Sequence, residues 1–459
     1  MEEDALSGDG LGGSASKTAM RVNENETDVL VVGAGMAGLT AARALAERGV
    51  RVLVVEARDR VGGRVMSRAV ESGDVVELGA EFVHGRAPEL WALIEECGCR
   101  AVEREGLMLR EEWDGGLAED DGAETMFEPL EELESYEGKD VAFAEWLKAS
   151  DVPEEGRAAL LGYVEGFNAA DAAKISVQSL GAQQKAEDAI EGDRGWHVRG
   201  GYVRLVEYLA ERVKALGGEV RLGCEVTTVQ WGQGEVEVST SQGLLRAKRC
   251  VVTLPLGVLQ RVNREGGLRM EPEPVAIAAA RRLAMGHAVR FTMVFRERWW
   301  ERSAAIAREK LEAMSFLFTP QRIPMVWWTA RKEPEALPTL TGWVGGPRSM
   351  ELEGKSAGEL GGEASTVLAE IFGVSEDEVR AALIATYTHD WSGDPWALGA
   401  YSYVPAGAIN APGAMTEPEL ATMFFAGEHT DTTGHWGTVH AAMRSGLRAA
   451  RQVLGEDLR

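Results

Sequence analysis

Six consecutive residues, Gly33-Ala34-Gly35-Met36-Ala37-Gly38, have the types and spacing to hold a phosphate. Gly33 permits a tight turn, Gly35 lets the main chain approach a pyrophosphate, and Gly38 lets a helix pack closely on a strand. A helix starting there points its unpaired N–H groups at the phosphates. Glu56 comes later in the same unit, where a carboxylate accepts hydrogen bonds from a ribose diol. The elements needed to position these groups are in order. Val29–Val32 is an all-apolar run, as expected of a strand buried on both faces. Leu39–Glu47 has helical composition and stops at Gly49, and Val50–Val55 is a second apolar strand. This strand–helix–strand unit predicts a dinucleotide site. Arg58, Arg60, Gly62, Gly63 and Arg64 follow directly, and an arginine among glycines can reach a pyrophosphate from the side opposite the helix.

Read together, Glu56-Ala57-Arg58-Asp59-Arg60-Val61-Gly62-Gly63-Arg64 resembles the flavin amine oxidase superfamily of monoamine oxidases, polyamine oxidases and flavin histone demethylases. Further blocks extend the resemblance. Glu77-Leu78-Gly79-Ala80-Glu81-Phe82-Val83-His84-Gly85 is similar to the segment that passes the flavin ring in polyamine and spermine oxidases. Thr253 to Leu259, His389 to Tyr403, Phe425 to Thr430, Thr438-Val439-His440 and Ser445-Gly446 resemble later family motifs, and the polyamine-oxidase-like branch is the nearest. The resemblance implies an α/β protein: a Rossmann-like FAD-binding domain of the GR2 type interleaved with an α+β substrate-binding domain. It implies FAD contacts from Gly33, Gly35, Met36, Ala37, Gly38, Glu56, Ala57, Arg58, Gly62, Gly63 and Arg64, and from Gly79, Ala80 and Glu81. Val226 would meet the adenine, with Thr253, Pro255, Trp391, Trp396, Gly427, Glu428, Thr438 and Val439 completing the site. Ala400 stands where monoamine oxidases carry the cysteine that links the flavin, so the FAD is expected to be held noncovalently.

On the reacting side, the resemblance makes Tyr401 and Thr438 face each other, with His435 and Trp436 as candidates for a second wall, and places His84 and Trp391 nearby. Arg290 stands where most relatives have a lysine bridged by water to the flavin. Arginine keeps the charge but cannot act as a base. The implied reaction is oxidation of a C–N bond of a primary or secondary amine, polyamine-like or monoamine, to an imine, with oxygen taking the electrons to give hydrogen peroxide. The rivals within the fold are an L-amino-acid oxidase and a desaturase or porphyrinogen-type oxidase. An amino-acid oxidase needs a cation for the carboxylate, and the Gly79–Gly85 segment offers none before Arg86. A histone demethylase is disfavoured by the lack of a long helical insertion. From another class, a non-catalytic FAD-bearing scaffold remains because of Arg290.

Composition bounds the rest. The chain has 459 residues and a formal net charge of −25, which disfavours nucleic acid and anionic membrane as partners and suits a small cationic molecule. Cys97, Cys99, Cys224 and Cys250 form no framework and no metal-ligand spacing, and no signal peptide precedes the first strand, so the expectation is a metal-free cytoplasmic protein, monomer or homodimer. Residues 1–26 read as a disordered tail. Segments 27–85, 196–290 and 386–459 are assigned to the FAD domain, and 86–195 and 291–385 to the substrate domain. The stretch 103–137 holds 14 acids against Arg104 and Arg110 and reads as an insertion of surface loops and helices.

Overall fold

The computed structural model describes residues 25–71, 73–120, 128–329 and 336–456. The expected tail lies outside these residues except for Asn25 and Glu26, and Glu26 already begins the first strand. Two sheets organise the chain. In the eight-stranded sheet, Glu26–Val32 lies between Val52–Val55 and Gly243–Val252, parallel to both. Glu219–Arg221 extends one side, and Met423–Phe425 pairs in parallel with Gly243–Val252. Val29 to Val32 and Val52 to Val55 are all buried, which is why they read as uninterrupted apolar runs. Val226–Gly232, Glu235–Thr240 and Gly243–Val252 form an antiparallel meander with alternating burial.

Helix Met36–Ala46 covers one face of this sheet beside the last helix, Val439–Leu454. Thr438 caps the latter by accepting from the Ala441 N–H, and Gly455 ends it in the left-handed conformation. The two helices approach so closely that a Cβ on Gly446 would lie 2.3 Å from the carbonyl oxygen of Ala37. The first helix is thus locked to the last directly behind the glycine-rich turn.

The seven-stranded sheet runs in the order Leu383–Thr388, Ala288–Phe295, Thr339–Gly345, Val326–Trp328, Met314–Phe318, Leu107–Glu111, Leu117–Glu119. Trp299, Trp300 and Trp327 are buried against Phe291, Phe295 and Phe372. This corrects the reading of 103–137 as surface insertion. Leu107–Glu111 pairs in parallel with Met314–Phe318, Leu109 is fully buried, and the buried Glu111 is paired with Arg322. The acids dominate the composition, but alternate residues point inward. Residues 121–127 of that stretch lie outside the described set. The sheet also takes in Ala288–Phe295 and Leu383–Thr388, so it starts and ends a few residues outside 291–385. A smaller sheet joins Phe82–His84, Gly195–Val198 and Ala101–Glu103, and helices Phe143–Ala149, Glu154–Asn168 and Val177–Asp188 share an apolar cluster around Phe143 and Val164.

Helix Glu376–Ala382 is capped by Ser375, which accepts from the Glu378 N–H, and it stops at Ala382 because Leu383 enters a strand. One smaller reading also changes. Cys97 and Cys99 are paired as a disulfide, although the sequence suggested no bridging; Cys224 and Cys250 are free and buried. Among the described residues no helix is long and apolar enough to cross a membrane, and no group of three or more His, Cys, Asp or Glu could hold a metal ion.

The close packing behind the turn gives a direct test. Gly446→Val forces a side chain against the Ala37 carbonyl, and overpacking of this kind costs roughly 1–3 kcal/mol. The variant's thermal midpoint should fall accordingly; an unchanged midpoint would show that the helices can part without loss.

Candidate functional site

A cavity of about 1550 Å³ opens at the C-terminal ends of the parallel strands and continues into the space between the two sheets. Its inner cleft is glycine-lined. Gly33 has φ +109°, and a Cβ there would sit 2.7 Å from Thr253 Oγ1. Gly38 does not reach the cavity: a Cβ on it would be 2.0 Å from the Gly33 carbonyl, so its role is helix–strand contact. The helix starting at Met36 has no side-chain cap at Gly35, which leaves its first N–H groups turned to the cleft. The Glu56 carboxylate lies at the end of its strand, accepting from Ala34 N (2.8 Å) and Arg58 N (3.0 Å). Ala57, Gly62, Gly63, Val226 and Pro255 also line the cleft, and Met36, Ala37 and Val439 close it from the helix side. A bare backbone at a helix N-terminus with a carboxylate beside it suits a dinucleotide; larger side chains at Gly33 or Gly35 would fill that space.

The arginines after Glu56 are more tied up than the sequence suggested. Arg58 forms a bidentate, buried pair with Asp394 (2.7 and 2.8 Å) and stacks on Trp396; His389 Nε2 donates to the same carboxylate at 2.7 Å. Burial would raise Asp394, but its bonds to His389 and Arg58 hold it far below the usual carboxylate range. Arg60 donates to the carbonyl of Gly63. Arg64 donates to Ala400 O (2.8 Å) and to Glu428 Oε1 (2.9 Å). Asp394 carried no signal in the sequence, because its partner lies 336 positions away.

Glu428 is 4% exposed and also accepts from Ser402 Oγ (2.5 Å) and Gly437 N (3.0 Å). It stays ionised: Arg64 and His429 outweigh the effect of burial. Gly427, with φ +145°, donates its N–H to Ser445 Oγ. Trp391 is buried and donates to Leu78 O at 2.8 Å, and a Cβ on Gly79 would lie 1.9 Å from Arg64 O. Gly79, Ala80 and Glu81 are therefore pressed along the cavity wall.

Arg290 does not extend freely into the cavity. Its guanidinium pairs with Glu81 and donates to Gly79 O (2.7 Å), and the Glu81 carboxylate also accepts from Trp328 Nε1 (3.2 Å). Both partners are about 95% buried. Burial favours the neutral acid, but Arg290 and His197 outweigh it and keep Glu81 charged. The charge expected near the flavin is thus matched by a carboxylate from the very segment expected to pass the ring.

The outer chamber is aromatic. Tyr401 donates to Phe167 O at 2.5 Å, and its ring lies parallel to Trp343, within 11°, at 6.5 Å. Trp343, not Trp436 or His435, is the aromatic opposite Tyr401. Trp436 lines the cavity, but its indole N–H is fixed on Asp431 O and its ring packs under the sheet. His435 is buried against Ala186 O and Thr433. Gly437 comes so near Tyr401 that a Cβ would sit 2.9 Å from the ring. Thr438 lines the cavity, though its hydroxyl also donates to His435 O. His84 makes edge contacts with Phe82 and Phe167. Burial, with Arg104 nearby, pushes it down to about 4. Trp328, Trp343, Phe167 and Arg104 had no motif to announce them; they reach the site through the second sheet and the helical layer.

His440, on the first turn of the last helix, is buried with no hydrogen-bond partner for Nε2 and is pushed down to about 2 by burial, with His435 and His84 adding repulsion. The unfolded chain takes up this proton near pH ~6.5 and the folded chain refuses it, so the group opposes folding increasingly as pH falls below that value. His440→Phe removes the effect. The thermal midpoint of the variant relative to the parent should rise on going from about pH 7 to about pH 5; a constant difference would contradict the assignment.

Comparison with known proteins agrees with this geometry. The family described as flavin containing amine oxidoreductase matches residues 36–454. Lysine-specific histone demethylase 1 homolog 2 of Arabidopsis thaliana is 28% identical over 94% of this chain, and this chain spans 58% of that protein's length. The flavin-containing amine oxidase of Oncorhynchus mykiss is 23% identical over 94% of this chain and 87% of its own. The fold matches putrescine oxidase solved with putrescine (TM-score 0.78, 22% identical) and cyclohexylamine oxidase from Brevibacterium oxydans (TM-score 0.77, 21% identical), each over 94% of this chain and 99% of the other. On the match across nearly all of the described residues, this chain belongs to the flavin containing amine oxidoreductase family, with FAD as its cofactor.

Proposed function

We propose that this protein is an FAD-dependent oxidase of primary or secondary amines, with oxygen as electron acceptor and hydrogen peroxide as product. The observation that carries the reading is the single cavity that joins the glycine-lined cleft to an aromatic chamber bounded by Tyr401 and Trp343. Bound FAD supplies the two-electron acceptor for the C–H next to the amine nitrogen and hands the electrons on to oxygen. The protein's part is to bind, orient and exclude water.

In this reading the N–H groups at Gly35–Ala37 and the Glu56 carboxylate hold the pyrophosphate and ribose, and Val226 and Pro255 border the adenine. The FAD domain comprises 27–85, 196–290 and 386–459, and the substrate domain 86–195 and 291–385. Ala400 has no nucleophile, so attachment is noncovalent. Tyr401 and Trp343 flank the amine and hold its C–H bond in one orientation. Burial pushes the Tyr401 phenol above its ordinary range, so it stays protonated and keeps its bond to Phe167 O. His84 is neutral above about pH 4, so it adds no charge to the chamber wall where the uncharged amine must lie. Arg290 acts through Glu81 and Gly79 as a positioning residue. The proposed compartment is the cytoplasm.

The purified protein should be yellow, and acid denaturation should release all of its flavin. Anaerobic addition of an amine substrate should bleach the colour, and air should restore it with release of peroxide. If no amine or amino acid bleaches it, the scaffold reading replaces this one. Glu56→Ala should weaken FAD retention by about tenfold or more, because it removes the acceptor for two backbone donors as well as the ribose contact.

A further inference from the structure

The arginines around the cavity differ in one respect. Arg58 is matched by Asp394, Arg64 by Glu428, Arg290 by Glu81, Arg110 by Asp120 and Arg194 by Glu103. Arg348 donates to the Pro320 and Arg322 carbonyls, and Arg261 is exposed to solvent, whereas the largely buried Arg104 has no carboxylate or carbonyl partner for its side chain among the described residues, although it lines the chamber. Its guanidinium lies over the ring of Phe316 (4.0 Å) and beside that of Phe82 (5.6 Å). Nε is shut off from solvent without a hydrogen bond, whereas the two terminal nitrogens are neither bonded nor fully enclosed.

The fold sets this placement. Arg104 follows the strand Ala101–Glu103 and donates its own N–H to Gly195 O. Gly195 in turn pairs with His84, which puts Arg104 level with the end of the segment that carries Glu81, Phe82 and His84. Burial lowers the guanidinium to about 10, which leaves it charged at any working pH. Neighbouring groups do not neutralise it: Glu81 is engaged by Arg290, and His84 is uncharged.

We propose that Arg104 binds the carboxylate of the substrate, so that the amine oxidised here is an amino carboxylate. This rests on the amine-oxidase reading above. A planar guanidinium clamped by two rings is preorganised and presents its outer edge to a planar acceptor. An unmatched, partly desolvated cation is unfavourable by itself, and a carboxylate entering the chamber satisfies it. A polycation of the putrescine type would meet repulsion at the same place. The amine end of the same molecule then lies toward Tyr401 and Trp343. The sequence offered no such cation in the Gly79–Gly85 segment; the third strand of the small sheet supplies it from elsewhere.

The test uses the FAD-loaded protein and two readouts. In the first, benzoate and benzamide are titrated against the flavin absorption spectrum. Benzoate should bind roughly 10- to 100-fold more tightly than benzamide, and Arg104→Met should abolish that difference with thermal midpoint and flavin content unchanged. Arg104→Lys, which keeps the charge but loses the fork, should restore part of it. In the second, matched pairs are compared for flavin reduction: phenylalanine with phenethylamine, and ornithine with putrescine. The acid of each pair should be preferred, and Arg104→Met should raise its KM roughly 10- to 100-fold while sparing kcat and the decarboxylated partner. Equal binding of benzoate and benzamide, preference for the decarboxylated amines, or equal losses on both members of a pair would overturn the proposal. If benzoate binds through Arg104 but nothing reduces the flavin, the carboxylate site stands and the amine-oxidase reading falls.

Discussion

Four segments meet at one buried carboxylate. Glu428 accepts from Arg64 in the loop after the second strand, from Ser402 in the segment that leads out of Tyr401, and from Gly437 just before the last helix. These groups are scattered over most of the chain, and a charge in such a place is tolerated because every donor is present at once. Removing the arginine would leave an uncompensated charge, a loss of about 3–5 kcal/mol. The arrangement explains why the glycine-rich start and the final helix must be folded together: neither wall of the cleft is complete until Glu428 has its donors.

The same logic of matched charges runs through the molecule. The net charge of −25 is not evenly felt inside, where Arg58 meets Asp394 and Arg290 meets Glu81 with almost no solvent contact. The second pair also links the segment at Gly79–His84 to the seven-stranded sheet, since Arg290 lies on Ala288–Phe295. In place of a free cation, the wall has a neutral pair with fixed geometry, held from behind by the Trp328 indole.

How much of this was legible in the sequence depended on range. The Gly33–Gly38 turn, the strands on either side and the helix Val439–Leu454 were legible because each is specified by neighbours in sequence: apolar runs, a cap at Thr438, a glycine stop at Gly455. The FAD-facing candidates came from motifs, and all of them except Gly38 line the cavity. What was not legible was set by distant pairing. Leu107–Glu111 was hidden by its acidic surroundings, because the strand is defined by its partner Met314–Phe318. Asp394, Trp343 and Arg104 have no local pattern, so only the assembled sheets show them to belong to the site. His435 and Trp436 were proposed from proximity in sequence, yet the backbone turns their side chains to Ala186 and Asp431.

Gly437 has one more implication. Its φ of +80° and the missing side chain let the Tyr401 ring settle against bare backbone. The breadth of the chamber is therefore governed by an atom that is not there. Even a methyl group at this point would tilt the phenol, loosen its grip on Phe167 and carry the disturbance into the helix Glu154–Asn168, so that selectivity for the incoming molecule would be retuned from a residue with no side chain of its own.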